Sequence, residues 1–121
     1  MSDLNELQNK VIAFRDARDW KQFHNPKDVA ISLTLEASEY LEHFQWKSPE
    51  QIKKHLKNHK EDVSDELADI LYYTLLAASD LDIDLKKALI DKIHKNDKKY
   101  PVAKAKGSSK KYTVLTKERE L

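Results

Sequence analysis

The sequence predicts an all-α protein of four main antiparallel helices that pack as a bundle and assemble into an oligomer. The chain has one glycine and three prolines among 121 residues, and 36% of its residues are charged. This composition is typical of helices joined by short turns. Apolar residues recur every three or four positions along its longer segments, which is the period of a helix face. A β-rich fold would need more turn glycines and more β-branched runs.

The first two helices are placed by their apolar period and by a proline. Leu4, Leu7, Val11 and Phe14 share one helical face, which predicts a helix from about residue 3 to residue 18. The polar and aromatic segment that follows breaks this helix. Pro26 fits the first turn of the next helix, where the missing N–H costs nothing. We therefore expect a second helix from about residue 26 to residue 46.

Capping residues further along the sequence predict where the remaining helices begin. Ser48 precedes Pro49 and stands three positions before Gln51, which permits a capped start for a short, basic and exposed helical segment that ends near residue 60. Ser64 is the expected cap of a third helix that ends near Ser79, and a fourth should span about residues 85–97.

The predicted helices form one domain over residues 1–106. Residues 107–121 are a basic C-terminal tail that starts at Gly107, and its end is expected to be mobile.

The composition also argues against several kinds of binding partner and metal site. The chain has 22 Lys and Arg residues against 21 Asp and Glu residues, and the resulting net charge of +1 gives no long-range attraction to nucleic acid. The absence of cysteine excludes disulfides and thiolate metal sites. No apolar run approaches the roughly 20 residues that span a bilayer, and no secretory signal is visible. We expect a cytoplasmic protein without a membrane partner.

Two predicted helices carry the same arrangement of carboxylates. Glu36 and Glu39 stand three positions apart on the second helix, and Glu66 and Asp69 stand three apart on the third. Residues at this spacing are neighbours on one helical face. At about 100° per residue, the first acid of each pair lies at the edge of an apolar sector, and the second lies roughly 60° further out. If the two helices pair antiparallel through these sectors, all four acids converge.

Converging carboxylates repel each other and lose hydration, so a cation must neutralise them or some must hold a proton. Ligands that offer only oxygen favour Mg²⁺, Mn²⁺ or Ca²⁺ over softer metals. Acid pairs at this spacing are common on solvated helix faces, and either pair alone would be interpreted that way. Their matched placement beside two apolar sectors is what favours a metal site.

The spacing of the four acids resembles the signature of the MazG-like superfamily of all-α nucleoside triphosphate pyrophosphohydrolases, and its dCTP pyrophosphatase branch in particular. The match continues on both sides of the acids. The matching segments are Asp19–Pro26, Phe44–Ser48, Glu66–Tyr73, Lys92–Asn96, Lys99–Pro101 and Lys110–Tyr112. Together they cover the chain from about Leu4 to Tyr112, and their order and spacing are more specific than any one of them.

This resemblance implies Mg²⁺-dependent cleavage of a (deoxy)nucleoside triphosphate between its α and β phosphates, with Mn²⁺ as a possible substitute. The expected substrate is dCTP or a related pyrimidine nucleotide, and the products are the monophosphate and pyrophosphate. It also implies a homo-oligomer, commonly a tetramer, with sites between subunits. Glu36, Glu39, Glu66 and Asp69 would hold the metal and serve catalysis, with Glu39 the candidate to orient or deprotonate the water.

Further matched positions are expected to bind the substrate. The two lysines would neutralise phosphate oxygens, the asparagine would hydrogen-bond sugar or phosphate, the tyrosines would shape the pocket, and a tryptophan would stack on the base. These residues are Trp20, Trp46, Tyr73, Lys92, Asn96, Tyr100, Lys111 and Tyr112. One position departs from the pattern, because Val11 stands where some dCTP-cleaving members carry a histidine.

Three other interpretations remain open at this stage. A di-iron carboxylate bundle would need Glu-x-x-His on two helices, and the chain has none. A non-enzymatic module would use its apolar faces only to assemble, and the four acids would then be replaceable together. Specific nucleic-acid binding is disfavoured by the near-neutral charge and would show as salt-dependent binding. The five histidines show no obvious ligand spacing.

Overall fold

The protein, described from a computed structural model over residues 3–109, is built from α-helices, one 3₁₀ turn and short connections. This confirms the all-α class. The helices are α1 (Asp3–Ala17), α2 (Pro26–Glu42), α3 (Pro49–Asp80), α4 (Leu85–Lys99) and α5 (Val102–Ala105), and the 3₁₀ turn spans Lys21–Phe23.

Side-chain caps fix where the helices begin. The Asn25 side chain accepts a hydrogen bond from the Asp28 N–H, and Pro26 occupies the first turn of α2. At the start of α3, Ser48 and Gln51 form a reciprocal capping box, which satisfies two otherwise unpaired backbone donors. The starts predicted at Pro26 and Ser48 are confirmed.

The predicted start of the third helix at Ser64 is wrong, although a break between two helical segments does occur nearby, as a kink. Helix α3 runs for 32 residues, and Ser64 lies inside it rather than at its cap. No proline or glycine interrupts this stretch after Pro49, and buried Val63 anchors it to the core, so its polar sequence marks an exposed helix and not a turn. The helix is kinked at His59, whose φ of −129° and ψ of 27° are not helical.

Helix α2 is shorter than predicted. It ends at Glu42 rather than Trp46, and Phe44 and Gln45 both donate their N–H groups to the Leu41 carbonyl in the turn that follows. Trp46 closes this turn with a φ of +65°, a left-handed conformation that is uncommon for a non-glycine residue. The ends of α1 and α4 lie within two residues of the prediction.

The chain divides into two compact units, one up to Ile83 and one from Asp84 onward. In the first unit α3 packs against both α1 and α2. The buried hydrophobic residues of the described chain are Val29, Val63, Leu75, Leu76 and Ala78. The predicted division at residues 106 and 107 stays a prediction.

Two helices, α1 and α2, pack against α3. The apolar sector predicted for this helix includes only some of its buried residues. The sector predicted for α3 comprises Leu67, Ile70, Leu71, Thr74, Ala77 and Ala78. Of these, Ala78 is buried, but Leu67 and Leu71 remain 49% and 42% exposed. The most buried side chains, Leu75 and Leu76, lie outside that sector. The packing of α1 against α3 includes a hydrogen bond that Gln8 Nε2 donates to the Leu75 carbonyl at 3.0 Å.

A buried arginine joins the end of α1 to the end of α3. The Arg15 side chain is 4% exposed, and its Nη1 donates to Asp80 Oδ1 at 2.9 Å while its Nε donates to Asp16 Oδ1 at 3.0 Å. The Arg15 carbonyl accepts from the Trp20 N–H at 3.2 Å. Arg15 therefore also fixes the loop that carries Trp20.

The second unit contains α4 and α5. Asp84 caps α4 by accepting from the Lys87 N–H, and Leu89, Ile90 and Ile93 of this helix are largely exposed. Across residues 3–109 no helix is both long and apolar enough to cross a membrane.

Candidate metal centre and adjoining cleft

Helices α2 and α3 run in opposite directions where they carry the acidic residues. His43, at the end of α2, contacts His55 near the start of α3. Glu36, two turns earlier on α2, lies beside Glu66, three turns later on α3. This pairing brings the matched acid pairs to the same place.

Three of the four predicted acids meet. Glu36, Glu39 and Glu66 each offer a carboxylate oxygen, and these oxygens all lie within 4.8 Å of one another. Glu36 and Glu66 are partly buried, whereas Glu39 is exposed. Asp69 is outside this group of three, but it borders the same cleft as Glu36, and its charge acts on both Glu36 and Glu66.

The electrostatics of the cluster are those of crowded carboxylates. Burial raises the pKa of Glu36 to about 7, helped by a hydrogen bond with Glu39 and by the charges of Asp69, Glu39 and Glu66. Burial and a hydrogen bond with Glu39 also raise the pKa of Glu66, and the charges of Glu39 and Asp69 add to this, while His43 opposes it. Crowding of these carboxyl groups thus disfavours their charged forms, and a cation would counter the same repulsion.

Two oxygen atoms in the cluster are left without partners. Glu36 Oε2 and Glu66 Oε2 are buried and accept no hydrogen bond from any residue within 3–109. Buried acceptors without a donor are costly, and a cation would satisfy both. The candidate ligand atoms are all carboxylate oxygens, so the site fits a hard dication such as Mg²⁺, Mn²⁺ or Ca²⁺.

A cleft of about 470 Å³ opens beside the cluster. Its walls combine carboxylates, one lysine and a largely apolar, aromatic surface. The lining residues are Lys10, Val11, Phe14, Trp20, His24, Glu36, Asp69, Tyr72 and Tyr73. The volume falls in the range of small-molecule sites.

Aromatic rings that contact one another form part of the cleft wall. Phe14 contacts the edges of both Trp20 and Tyr72, with ring centroids 5.8 and 6.0 Å apart. The Arg18 guanidinium lies 3.7 Å from the Phe14 ring centroid and covers its outer face. Trp20 is 42% exposed, so its ring offers a surface on which a planar group can stack.

The predicted substrate residues fall into three groups. Trp20 and Tyr73 line the cleft, whereas Trp46 is 91% exposed and is not part of the lining described for residues 3–109. Three others belong to the second unit: Lys92 and Asn96 lie on α4, and Tyr100 is its C-cap. Lys111 and Tyr112 lie outside the described residues.

Sequence reasoning did not single out several residues of the cleft. Lys10 and Phe14 stand four apart on α1 and therefore share a face, but nothing in the sequence indicates that this face borders the acids. His24 also lines the cleft, and its Nδ1 is buried without a partner among the described residues. Val11, the position that departs from the family pattern, lies in the same wall.

The histidines form a row that the sequence did not reveal. His43 Nδ1 lies 2.8 Å from His55 Nε2, and the His55 ring stacks on His59 with centroids 4.7 Å apart. Burial lowers the pKa of His55, as do the charges of His59, Lys47 and His43, while Asp62 opposes this. The two paired histidines are 12 positions apart, so no short spacing motif could have found them.

The chain is thus all-α, with a cluster of carboxylates beside an aromatic cleft. Its sequence is similar to those of known proteins. The profile of the MazG-like family matches residues 31–115. The chain is 36% identical to dCTP pyrophosphatase 1 of Rattus norvegicus and 33% identical to that of Homo sapiens. Each match spans 114 residues, which are 93% of this chain and 67% of the relative.

A solved structure has the same fold. A pyrophosphatase from Archaeoglobus fulgidus superposes with a TM-score of 0.78 at 36% sequence identity, covering 84% of this chain and 94% of that one. The chain belongs to the MazG-like family.

Proposed function

We propose that this chain, a pyrophosphatase of the MazG-like family, hydrolyses deoxynucleoside triphosphates between the α and β phosphates, with dCTP or a related pyrimidine nucleotide as substrate. The products are the nucleoside monophosphate and pyrophosphate. One observation carries the proposal: two buried carboxylate oxygens, on Glu36 and Glu66, lack partners among the described residues, and Glu36 borders the aromatic cleft.

Glu36, Glu39, Glu66 and Asp69 would hold Mg²⁺, with Mn²⁺ as a substitute. A bound dication neutralises phosphate charge and lowers the pKa of a water molecule, which is the chemistry that attack on a phosphate requires. The cluster suits this because its carboxyl groups are crowded enough to raise the pKa of Glu36 and Glu66, and a cation would offset that repulsion.

The chain's own residues account for binding and proton transfer. Trp20 stacks on the base, and Tyr73 borders the passage between the base and the acids. Lys10 places a positive charge in the cleft, where it pairs with a phosphate oxygen. Glu39 is the exposed acid of the cluster and already shares hydrogen bonds with Glu36 and Glu66, so it orients the attacking water and takes its proton.

The pyrimidine preference is supported by the names of the relatives, which are dCTP pyrophosphatases. The shape of the cleft favours a small base, because Phe14, Trp20 and Tyr72 pack together on its apolar side. Val11 in the same wall offers no hydrogen bond to a base. We infer that stacking and fit select the base at this wall.

The remaining predicted substrate residues stay proposals. They are Trp46, Lys92, Asn96, Tyr100, Lys111 and Tyr112, each proposed as a substrate-binding residue. The cytoplasmic location is likewise a prediction.

We also propose that the chain works as a homo-oligomer, a dimer or tetramer. Within the described chain, large apolar side chains on both units remain exposed, among them Phe23 at 66%, Leu35 at 58% and Trp46 at 91%. A single domain rarely leaves so much apolar surface to water. Light scattering across a dilution series tests this, and an active monomer at all concentrations would contradict it.

Product analysis tests the reaction. The protein is incubated with Mg²⁺ and each of the common nucleoside triphosphates, with and without the 2′-hydroxyl, and the products are separated by ion exchange. Monophosphate and pyrophosphate in equal amounts, fastest with dCTP or a related pyrimidine, support the proposal. Diphosphate with orthophosphate, or no turnover of any nucleotide, would overturn it.

A further inference from the structure

A pair of histidines lies beside Glu66, and the proposed reaction does not use it. His43 is the C-cap of α2, and His55 lies on α3. Both side chains are half-buried, and His43 Nδ1 lies 2.8 Å from His55 Nε2. The other ring nitrogen of His43, Nε2, lies 3.9 Å from Glu66 Oε1. His43 therefore stands between His55 and a carboxylate of the candidate metal centre.

Only one proton fits between His43 Nδ1 and His55 Nε2, and the nearby carboxylate decides which ring carries it. If His43 Nδ1 carried it, a neutral His43 would present the lone pair of Nε2 to Glu66, and the two would repel each other. If His55 Nε2 carries it, the proton of a neutral His43 resides on Nε2 beside Glu66 Oε1, and the contact is attractive. Burial lowers the pKa of His55, which favours the neutral ring that this arrangement needs.

The two oxygen atoms of Glu66 have different surroundings. Oε1 lies near His43, whereas Oε2 is buried and has no hydrogen-bond partner among residues 3–109. Outer partners of this kind commonly orient the side chains that bind a metal. At 3.9 Å the contact between His43 and Glu66 is longer than a hydrogen bond. Hydrogen bonds at catalytic sites are often this long before the substrate binds, and they tighten when it does.

We propose that His43 is a positioning residue for Glu66: held by His55, its Nε2–H donates to Oε1 and orients the carboxylate so that Oε2 is left to bind the divalent metal ion. This inference rests on the proposed function, because it takes Glu66 as a metal ligand. It adds a donor that the four carboxylates themselves do not supply.

Manganese affinity measures this positioning without nucleotide or turnover. Mn²⁺ is titrated into the full chain, and the free ion is followed by electron paramagnetic resonance. His43→Leu removes the donor and should weaken Mn²⁺ binding about 10–100-fold, the usual cost of losing an outer partner of a metal ligand. His43→Gln keeps an N–H near the place of Nε2 and should recover most of the affinity. Equal Mn²⁺ affinity in His43→Leu and the parent, or a loss in His43→Gln as large as in His43→Leu, would overturn the proposal.

His59→Leu is the matched control. His59 stacks on the His55 ring with centroids 4.7 Å apart, but it takes no part in the contact with Glu66, so this variant should bind Mn²⁺ as tightly as the parent. A loss in His59→Leu as large as that in His43→Leu would show a general effect of packing and overturn the assignment.

Failure of this inference is separable from failure of the proposed function. A parent that binds Mn²⁺ and hydrolyses dCTP, while His43→Leu binds the ion equally well, overturns the role of His43 alone. A parent that binds no Mn²⁺ overturns the metal centre and this inference with it.

One measurement on the unaltered protein guards against a variant that fails to fold. Nitrogen NMR of the isotope-labelled chain with Mg²⁺, at a pH well above the ordinary histidine pKa of about 6.5, identifies the protonated nitrogen of each ring. His43 should carry its proton on Nε2, with Nδ1 as the acceptor. A His43 Nε2 without a proton would overturn the proposal.

Discussion

Glu36 and Glu66 come from helices that run in opposite directions, and both hydrogen-bond to the carboxyl group of Glu39 while each keeps one buried oxygen without a partner in the described chain. Bringing these carboxyl groups together raises the pKa of both Glu36 and Glu66. A metal ion would compete with protons for the same oxygen atoms.

Metal binding should stabilise the fold through these acids. A ligand that binds only the folded state adds about 2.7 kcal/mol at a concentration 100 times its Kd, so Mg²⁺ or Mn²⁺ should raise the Tm of the parent. Glu66→Gln should abolish this rise while circular dichroism shows intact helices. Asp65→Asn, which removes the adjacent exposed acid, is the control and should respond like the parent. An unchanged metal response in Glu66→Gln would place the site elsewhere.

The pH dependence of stability without metal should show the raised pKa of Glu36. The folded state holds this proton up to about pH 7, whereas the unfolded chain releases it near 4.5. The contribution of Glu36 is thus fully present below about pH 4.5 and is lost as the pH rises to about 7. Urea unfolding of Glu36→Gln from pH 4.5 to 8 should lack this decline. The assignment would be refuted if the free energy of unfolding of the parent showed no decline relative to that of Glu36→Gln over this pH range.

Trp20 should stack on the base of the substrate. Its ring borders the same cleft as Glu36 and Asp69, and stacking of a base on an aromatic ring is worth about 1–3 kcal/mol. Trp20→Ala should weaken nucleotide binding by that amount, whereas Trp20→Phe should retain most of the affinity. Calorimetric titration with a non-hydrolysable dCTP analogue measures both. If alanine and phenylalanine bind the analogue as tightly as tryptophan does, the base lies elsewhere.

Arg15 forms ion pairs with Asp80 and Asp16. Breaking the pair with Asp80 should lower the free energy of unfolding more. Asp80→Asn leaves a guanidinium that is 4% exposed without its main counter-charge, so we expect a loss of about 3 kcal/mol in the free energy of unfolding. Asp16 is 53% exposed, and Asp16→Asn should cost less than about 1 kcal/mol. Urea unfolding of the two variants compares them, and equal losses would contradict this ranking.

The sequence predicted helix starts well because caps are local. Asn25 and Ser48 satisfy backbone donors within three residues, so their effect is visible in the sequence itself. The predicted start at Ser64 failed, because a polar stretch between apolar ones looks the same in an exposed helix as in a turn. What decides is the burial of Val63 against the core, which depends on the rest of the fold.

The positions of the acids could be predicted from the sequence, whereas those of several cleft residues could not. Glu36 and Glu39 share a face by helical geometry alone, and so do Glu66 and Asp69, so the convergence of the acids could be expected once α2 and α3 paired. The places of Lys10 and His24 depend on how α1 and the 3₁₀ turn pack around α3, which no local pattern encodes.

The central claim is that the acids on α2 and α3 hold the metal for cleavage between the α and β phosphates, and phosphorus NMR of dCTP hydrolysis tests it most directly. With Mg²⁺, the parent and Asp65→Asn should accumulate dCMP and pyrophosphate in equal amounts at similar rates. Glu66→Gln should be slower by at least about 100-fold, since loss of one charge-stabilising group commonly costs that much or more. Formation of dCDP and orthophosphate, or full activity in Glu66→Gln, would contradict the account.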